Sequence, residues 1–179
     1  MFKIENLFYC PVKSISFNDS RSLKVIKNRG IENDRIFAFI QNIDKIKFFQ
    51  KDPISRKLNN FITLKNSPEL NKYNFIFIKN KLILKKQSEE IISIDPFSRE
   101  GRVIISNKVT ELIKNYKKIN FLIDKKNPFF DTMPNNSISL INKNSISDFE
   151  KKILTNIEFE RFRANIYIKG LKAWGERNW

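Results

Sequence analysis

The feature that most constrains this chain is the shortness of its apolar runs. Residues 2–9, 23–26, 35–40, 61–64, 75–78, 82–84 and 119–123 are each rich in Ile, Leu, Val and Phe, and each is closed by turn formers or charges. Runs of this length fit strands and are too short for stable helices. Pro11 stops the first, and Asn28-Arg29-Gly30 supplies a turn after the second. RIFAFI, residues 35–40, reads as a buried strand. Lys79-Asn80-Lys81 between two runs predicts a hairpin. Glu89-Glu90 reads as a solvated pair in a loop, and residues 127–136 as a loop with two prolines.

Two helices break the pattern. Val109, Leu112, Ile113 and Tyr116 fall at i, i+3, i+4 and i+7 behind Ser106 or Asn107 as N-caps. Ser145-Ile146-Ser147-Asp148 is a capping box with Asp in place of Glu, ahead of a stripe of Ile146, Phe149, Ile153 and Leu154. The expected fold class is α+β, mostly β, with barrel-like closure.

Composition removes several chemistries. There is no His, which excludes His-based triads and His-containing zinc sites. The single Cys10 excludes an internal disulfide and a multi-Cys metal site. It sits at an apolar strand end, where inert buried thiols are found, so no metal ligand is assigned. No stretch approaches the ~18 apolar residues of a membrane span, and the start lacks a signal peptide's apolar centre; the expected location is cytoplasmic, with no membrane partner. The net charge is +15, with 34 Lys+Arg against 19 Asp+Glu. The cations are spread along a chain also rich in Asn, Ile and Phe, as an AT-rich genome would encode, so nucleic acid is not the expected partner.

Residues 161–168, RFRANIYI, alternate strictly. As a strand they would put Phe162, Ala164, Ile166 and Ile168 on a core face and Arg161, Arg163, Asn165 and Tyr167 on the other. Arginines spaced about 7 Å apart could hold a phosphate or carboxylate. On alternation alone, the polar side could equally be a solvated face.

The whole ending, RFRANIYIKGLKAWGERNW, resembles the Arg-Phe-Arg-Pro-Asn … Gly … Glu-Asp-x-Trp segment of the MOSC domain family, named for the C-terminal domain of molybdenum cofactor sulfurase. Ala164 replaces its Pro, and Arg177 its usual Asp. YCPVKS at residues 9–14 and GIENDR at 30–35 resemble the motifs of the β-barrel domain that precedes MOSC. Weaker likenesses are FQKDP at 49–53 running to Leu58, Phe130-Asp131 with Pro134, and residues 139–146. The matches follow one another in the family's order.

This resemblance implies an N-terminal β-barrel-like domain over residues 1–118 and an incomplete MOSC β-barrel domain over 119–179. It implies a protein binding the molybdenum cofactor (molybdopterin), either an oxidoreductase acting on N-hydroxylated compounds or a carrier of the sulfurated cofactor. A small-molecule substrate and an electron-donor protein or domain would be its partners. Lys13, Ser14, Arg35 and Arg163 would hold the cofactor's phosphate and pterin, while Asn142, Ser145 and Asn165 would add hydrogen bonds. Arg35 and Arg163 are expected on one basic pocket; Glu176 matches the family's acidic position and is open to a structural role, such as pairing with Arg163 or Arg161, or to a catalytic one. The alternatives for individual residues are a surface Lys13, a structural Asp34–Arg35 pair and Ser145 as a plain N-cap. The family's ligand Cys would lie beyond Trp179, so the chain is expected to bind cofactor weakly and not turn over, and no catalytic residue is assigned. Two rivals remain: a non-catalytic MOSC remnant, and a basic β-barrel that binds nucleic acid through exposed aromatics beside cations.

Overall fold

The computed structural model describes residues 1–41, 58–113, 115–130 and 138–179. In chain order its strands are β1 (Lys3–Tyr9), β2 (Asn18–Asp19), β3 (Val25–Ile26), β4 (Gly30–Ile31), β5 (Phe37–Gln41), β6 (Tyr73–Ile78), β7 (Lys81–Lys86), β8 (Glu89–Ile94), β9 (Ile119–Ile123), β10 (Leu140–Asn142) and β11 (Ile166–Lys169). The helices are α1 (Arg99–Leu112) and α2 (Lys143–Ile153). The fold is α+β and mostly β. Among the described residues no sheet closes into a barrel, and no helix is long and apolar enough to cross a membrane. The FQKDP likeness, Asp131 and Pro134 lie outside the described residues.

The chain forms two compact units that interleave in sequence: Met1–Tyr9, Asn18–Glu32 and Asn136–Trp179 make the first, Cys10–Phe17 and Asn33–Asn135 the second. In the second unit, β5 pairs antiparallel with β9, and β6-β7-β8 form a meander. Their inward side chains meet in one apolar core that includes Phe37, Phe39, Phe75, Leu82, Leu84, Ile105, Val109 and Phe121. Phe37 stacks on Phe121 at 5.4 Å and meets the Phe77 ring edge-on at 5.1 Å. Residues 36–40 of RIFAFI are buried as expected, while Arg35 is half-buried ahead of β5, and Lys79 and Asn80 take left-handed φ of 48° and 60°, the twist a two-residue hairpin turn needs.

Three readings in this unit need correction. Residues 61–64 form no strand; Phe61 makes only an isolated bridge to Ile40. Glu89 and Glu90 begin β8, opposite Lys86 and Lys85, so cross-strand charge complementarity recruits them to the sheet. Helix α1 starts at Arg99, capped by Ser98, whose Oγ accepts from Gly101 N at 2.9 Å. Its first turns escaped notice because the buried position there is Gly101, where a Cβ would stand 2.0 Å from Asp95 O. Ser106 is instead mid-helix, its hydroxyl donating to Arg102 O at 2.7 Å and accepting from Phe121 N at 3.1 Å.

The first unit holds a mixed sheet in the order β10-β11-β1-β2, with β11 parallel to β10 and antiparallel to β1. A small β3–β4 ladder turns at Asn28, φ 59°, and Gly30, φ 88°. The alternation read over residues 161–168 is not a strand. Residues Phe159–Phe162 make a 3-10 turn, Arg163 is left-handed at φ 53°, and pairing begins only at Ile166. That turn resets the register: Phe162 is exposed, whereas Asn165 and Tyr167 are buried beside Ile168. Successive side chains of a strand point to opposite faces, so the burial of both Tyr167 and Ile168 means that β11 is covered on both faces there, and the expected two-sided pattern is absent. Beyond β11, Gly170 at φ 91° lets the chain pass Met1, whose carbonyl would lie 2.9 Å from an added Cβ.

Candidate functional site

In the second unit, the segment after Pro11 runs beside β5. Lys13 N donates to Phe37 O at 2.8 Å and Phe37 N donates to Pro11 O at 3.0 Å. Ser16 Oγ closes the loop, accepting from Val12 N at 2.9 Å and donating to Val12 O at 3.0 Å. The turn leaves Ser14 half-buried with φ 61°. Lys13 is not on the surface: it is 1% exposed, its Nζ donates to Phe129 O at 3.1 Å, and it stands 5.0 Å from the Phe61 ring centroid. A carbonyl and a π face together offset part of the cost of burying this cation.

Arg35 is built into the same loop cluster. Its N donates to Cys10 O at 2.6 Å and its O accepts from Phe129 N at 2.8 Å. Its guanidinium pairs with Asp34, a fully buried carboxylate that also accepts from Cys10 N, and lies 5.6 Å from the Phe130 ring centroid. The structural Asp34–Arg35 pair weighed as an alternative is therefore present. Lys13 and Arg35 both bond to the backbone of Phe129. Cys10 is buried, with 1% of its surface exposed.

In the first unit, the polar centre is the start of α2. Asn142 rather than Ser145 is the N-cap: its Oδ1 accepts from Asn144 N at 3.1 Å. Its Nδ2 donates to Lys172 O and to Glu176 Oε2, each at 3.0 Å. One turn on, Ser145 Oγ donates to Glu176 Oε1 at 2.6 Å and accepts from Trp174 N at 2.8 Å. The Glu176 carboxylate is thus gripped at both oxygens, and its partners are not the arginines that the sequence suggested. Burial disfavours its charge, but hydrogen bonds from Ser145, its own backbone N–H and Asn142, with the Arg177 charge, outweigh this and hold its pKa below the usual glutamate value. Nearby, Trp174 Nε1 donates to Asp148 Oδ2 at 2.6 Å, and Lys152 donates to the same oxygen at 2.9 Å. These two bonds lower the Asp148 pKa.

Asn165 works as a stitch. Its backbone O accepts from Phe8 N at 2.7 Å, its Nδ2 donates to Phe8 O at 3.1 Å, and its Oδ1 accepts from Ser139 N and Oγ at 3.2 and 3.1 Å. The Tyr167 hydroxyl accepts from Ala164 N at 3.0 Å and donates to Phe159 O at 2.9 Å, bracing the turn that carries Arg163. Arg163 itself is half-buried, its N donating to Glu160 O at 3.0 Å.

The seven sequence-derived residues fall into two kinds. Lys13, Asn142, Ser145 and Asn165 are buried and bond to protein atoms. Ser14, Arg35 and Arg163 are half-buried, each on left-handed backbone. Lys13, Ser14 and Arg35 belong to the second unit, and Asn142, Ser145, Arg163 and Asn165 to the first. Among the described residues, no three His, Cys, Asp or Glu side chains gather as metal ligands would. Sequence reasoning missed Trp174 and Asn144, whose Nδ2 donates to Leu171 O at 2.8 Å. The Asn-x-x-Ser spacing at the helix start was the available signal. Comparison of the chain with protein-family models and with curated proteins finds no match.

Proposed function

We propose that this chain is a molybdenum-cofactor-binding protein of the MOSC type, acting as a reductase of N-hydroxylated compounds or as a carrier of the sulfurated cofactor. The reading includes an N-terminal barrel domain over 1–118, a MOSC domain over 119–179, a cytoplasmic location and an electron-donor partner. One observation carries it: Ser14, Arg35 and Arg163, the half-buried donors of the ordered motifs, all take left-handed backbone at φ 53–61°. Such a conformation costs a non-Gly residue about 1–2 kcal/mol, and strain of this kind collects where side chains are aimed for function.

In this reading the Arg35 guanidinium and the Ser14 hydroxyl are the second unit's donors to cofactor oxygens, Arg163 is the first unit's, and the buried residues act by positioning within each unit. Asp34 orients the Arg35 guanidinium, Tyr167 holds the Arg163 turn, and Asn165 fixes the strand behind it. The redox chemistry is the cofactor's own; the chain anchors it and sets the local field.

The test is to load the purified chain with cofactor and measure pterin and molybdenum content and affinity. Arg163→Ala is expected to weaken binding about ten- to hundredfold, the worth of one desolvated charge-assisted hydrogen bond. Failure of the unaltered chain to retain pterin would overturn the reading.

A second reading, single-stranded nucleic-acid binding, draws on exposed aromatics beside cations in the first unit. The Phe2 and Trp179 rings are 5.7 Å apart, and Lys152 Nζ lies 5.6 Å from the Trp174 ring centroid. Salt-sensitive binding of an oligonucleotide that weakens in Trp179→Ala would favour it.

A further inference from the structure

We infer that one end of the first unit's sheet docks on an anionic lipid bilayer. Phe2 and Trp179 enter the headgroup layer there, and Lys3, Lys169 and Arg177 meet its negative charge. The inference is independent of the cofactor reading, and it concerns contact with a membrane surface rather than a span.

β1 begins where β11 ends, with Lys3 directly opposite Lys169. Just outside that ladder the Phe2 and Trp179 rings meet at 5.7 Å. Gly170 passes so close that an added Cβ would stand 3.4 Å from Phe2 Cα. Phe2 nevertheless remains 51% exposed, Trp179 67%, and Ile4, beside Lys3 in β1, 57%. Met1 is exposed as well. Scattered apolar residues on a surface are ordinary, but four large ones at a single sheet end mark a contact surface.

The charges at this end say what it contacts. Lys3 and Lys169 are exposed like charges facing each other across a ladder, which weakens the pairing unless an anion lies over them. Among the described residues neither makes an ion pair, and nor does Arg177, exposed two positions before Trp179. The neighbouring carboxylates are already engaged: Glu5 pairs with Lys143 at 3.4 Å, and Glu176 is held by Asn142 and Ser145. The exposed apolar residues of α2 differ. Phe149 and Ile153 stand among Asp148, Glu150 and Glu158, which an anionic surface would repel.

The mixture of side chains fits a bilayer interface. A Trp ring, apolar with one polar N–H, settles at headgroup depth, while Phe, Met and Ile side chains reach the acyl boundary. Lysine stems lie along apolar surface and keep their ammonium groups at the phosphates. A nucleic acid would stack on Phe2 and Trp179 but leave Met1 and Ile4 in water.

The test is co-sedimentation with vesicles of phosphatidylcholine, with and without phosphatidylserine. Binding is expected to be strong only with phosphatidylserine. Each charge removed in Lys3→Gln/Lys169→Gln should weaken it about fivefold, the worth of one basic residue near an anionic leaflet. Trp179→Ala should weaken it roughly tenfold through lost apolar contact. Vesicles should shift the tryptophan fluorescence to the blue in the unaltered chain and not in Trp179→Phe, which keeps Trp174. Lys117→Gln/Lys118→Gln, which removes two exposed charges from the second unit, should weaken binding far less. Equal weakening by the two lysine pairs overturns the inference, because net charge alone then drives binding. Absence of vesicle binding by the folded chain overturns it too, as does an oligonucleotide bound through Trp179 in place of vesicles. If Trp179→Ala does not fold, the lysine pairs and the Trp179→Phe fluorescence decide.

Discussion

The two units stabilise themselves by different means. The second gathers Phe37, Phe39, Phe75, Ile105, Val109 and Phe121 into one continuous apolar core. Among the described residues the first shows no cluster of that size: it buries Phe8, Ile31, Ile146, Tyr167 and Ile168 beside Asn18, Asn142, Ser145 and Asn165, and it exposes Phe2, Ile4, Leu154 and Trp179. Apolar burial is non-directional and tolerates approximate geometry. A hydrogen-bonded interior demands that each donor meet its acceptor, because an orphaned one costs its full desolvation. The second unit thus adds a large apolar core to its own buried polar residues, Lys13, Ser16, Asp34 and Ser67, whereas the first depends more on directed bonds.

The largest test of that contrast is Phe37→Ala. Phe37 is fully buried and contacts the Phe77, Phe97 and Phe121 rings. Its truncation should cost about 3–5 kcal/mol in denaturant unfolding. Asn165→Ala should cost less, about 1–3 kcal/mol, by leaving Phe8 O and the Ser139 donors unmatched. The contrast sharpens if Asn165→Leu is no better than Ala, since added apolar bulk cannot replace directed bonds. A Leu variant as stable as the unaltered chain would break it.

The same contrast explains what could be read from the sequence. RIFAFI, residues 119–123 and the Lys79–Asn80 hairpin were legible because their signals are local: apolar density and turn chemistry. Residues 161–168 misled because a 3-10 turn and a left-handed Arg163 shift the register without changing the alternation of residue types. At the site, Asn142 and Ser145 were legible as a pair one helical turn apart. Their shared partner was not, since Glu176 lies 34 and 31 positions away and nothing in its neighbourhood names the helix it meets. Local rules also placed the cap at Ser145, when Asn142 already fills that role.

Acid should act on the first unit through the segment after β11, which Glu176 and Trp174 tie to α2. Glu176 has a folded pKa below its ordinary value, so its contribution is complete above that ordinary value and is lost as pH falls through the depressed one. Asp148, lowered first by Trp174 and next by Lys152, follows the same sign. Trp174 fluorescence in a Trp179→Phe background should therefore change below the normal carboxylate range, before global unfolding followed by circular dichroism. Salt should blunt the Asp148 part, which is exposed. Coincident loss of both signals would show that the segment after β11 has no separate stability.

The smallest effect concerns backbone alone and should not distinguish the units. Leu154 in the first unit, φ 54° and 90% exposed, and Ser14 in the second, φ 61°, are both left-handed. Glycine at either position relieves about 1–2 kcal/mol of steric cost. It also gives the unfolded chain more freedom, which opposes this by about 0.4–1 kcal/mol. The net gain expected for Leu154→Gly and Ser14→Gly is several tenths of a kcal/mol each, read from the midpoint of urea unfolding at constant slope. Leu154→Gly should leave phosphate affinity unchanged, because Leu154 only closes α2. Ser14→Gly should stabilise by a similar amount yet lower phosphate affinity, because it removes a proposed donor while easing the strain that aims it. Equal affinity in the two variants would assign the Ser14 conformation to the loop turn alone.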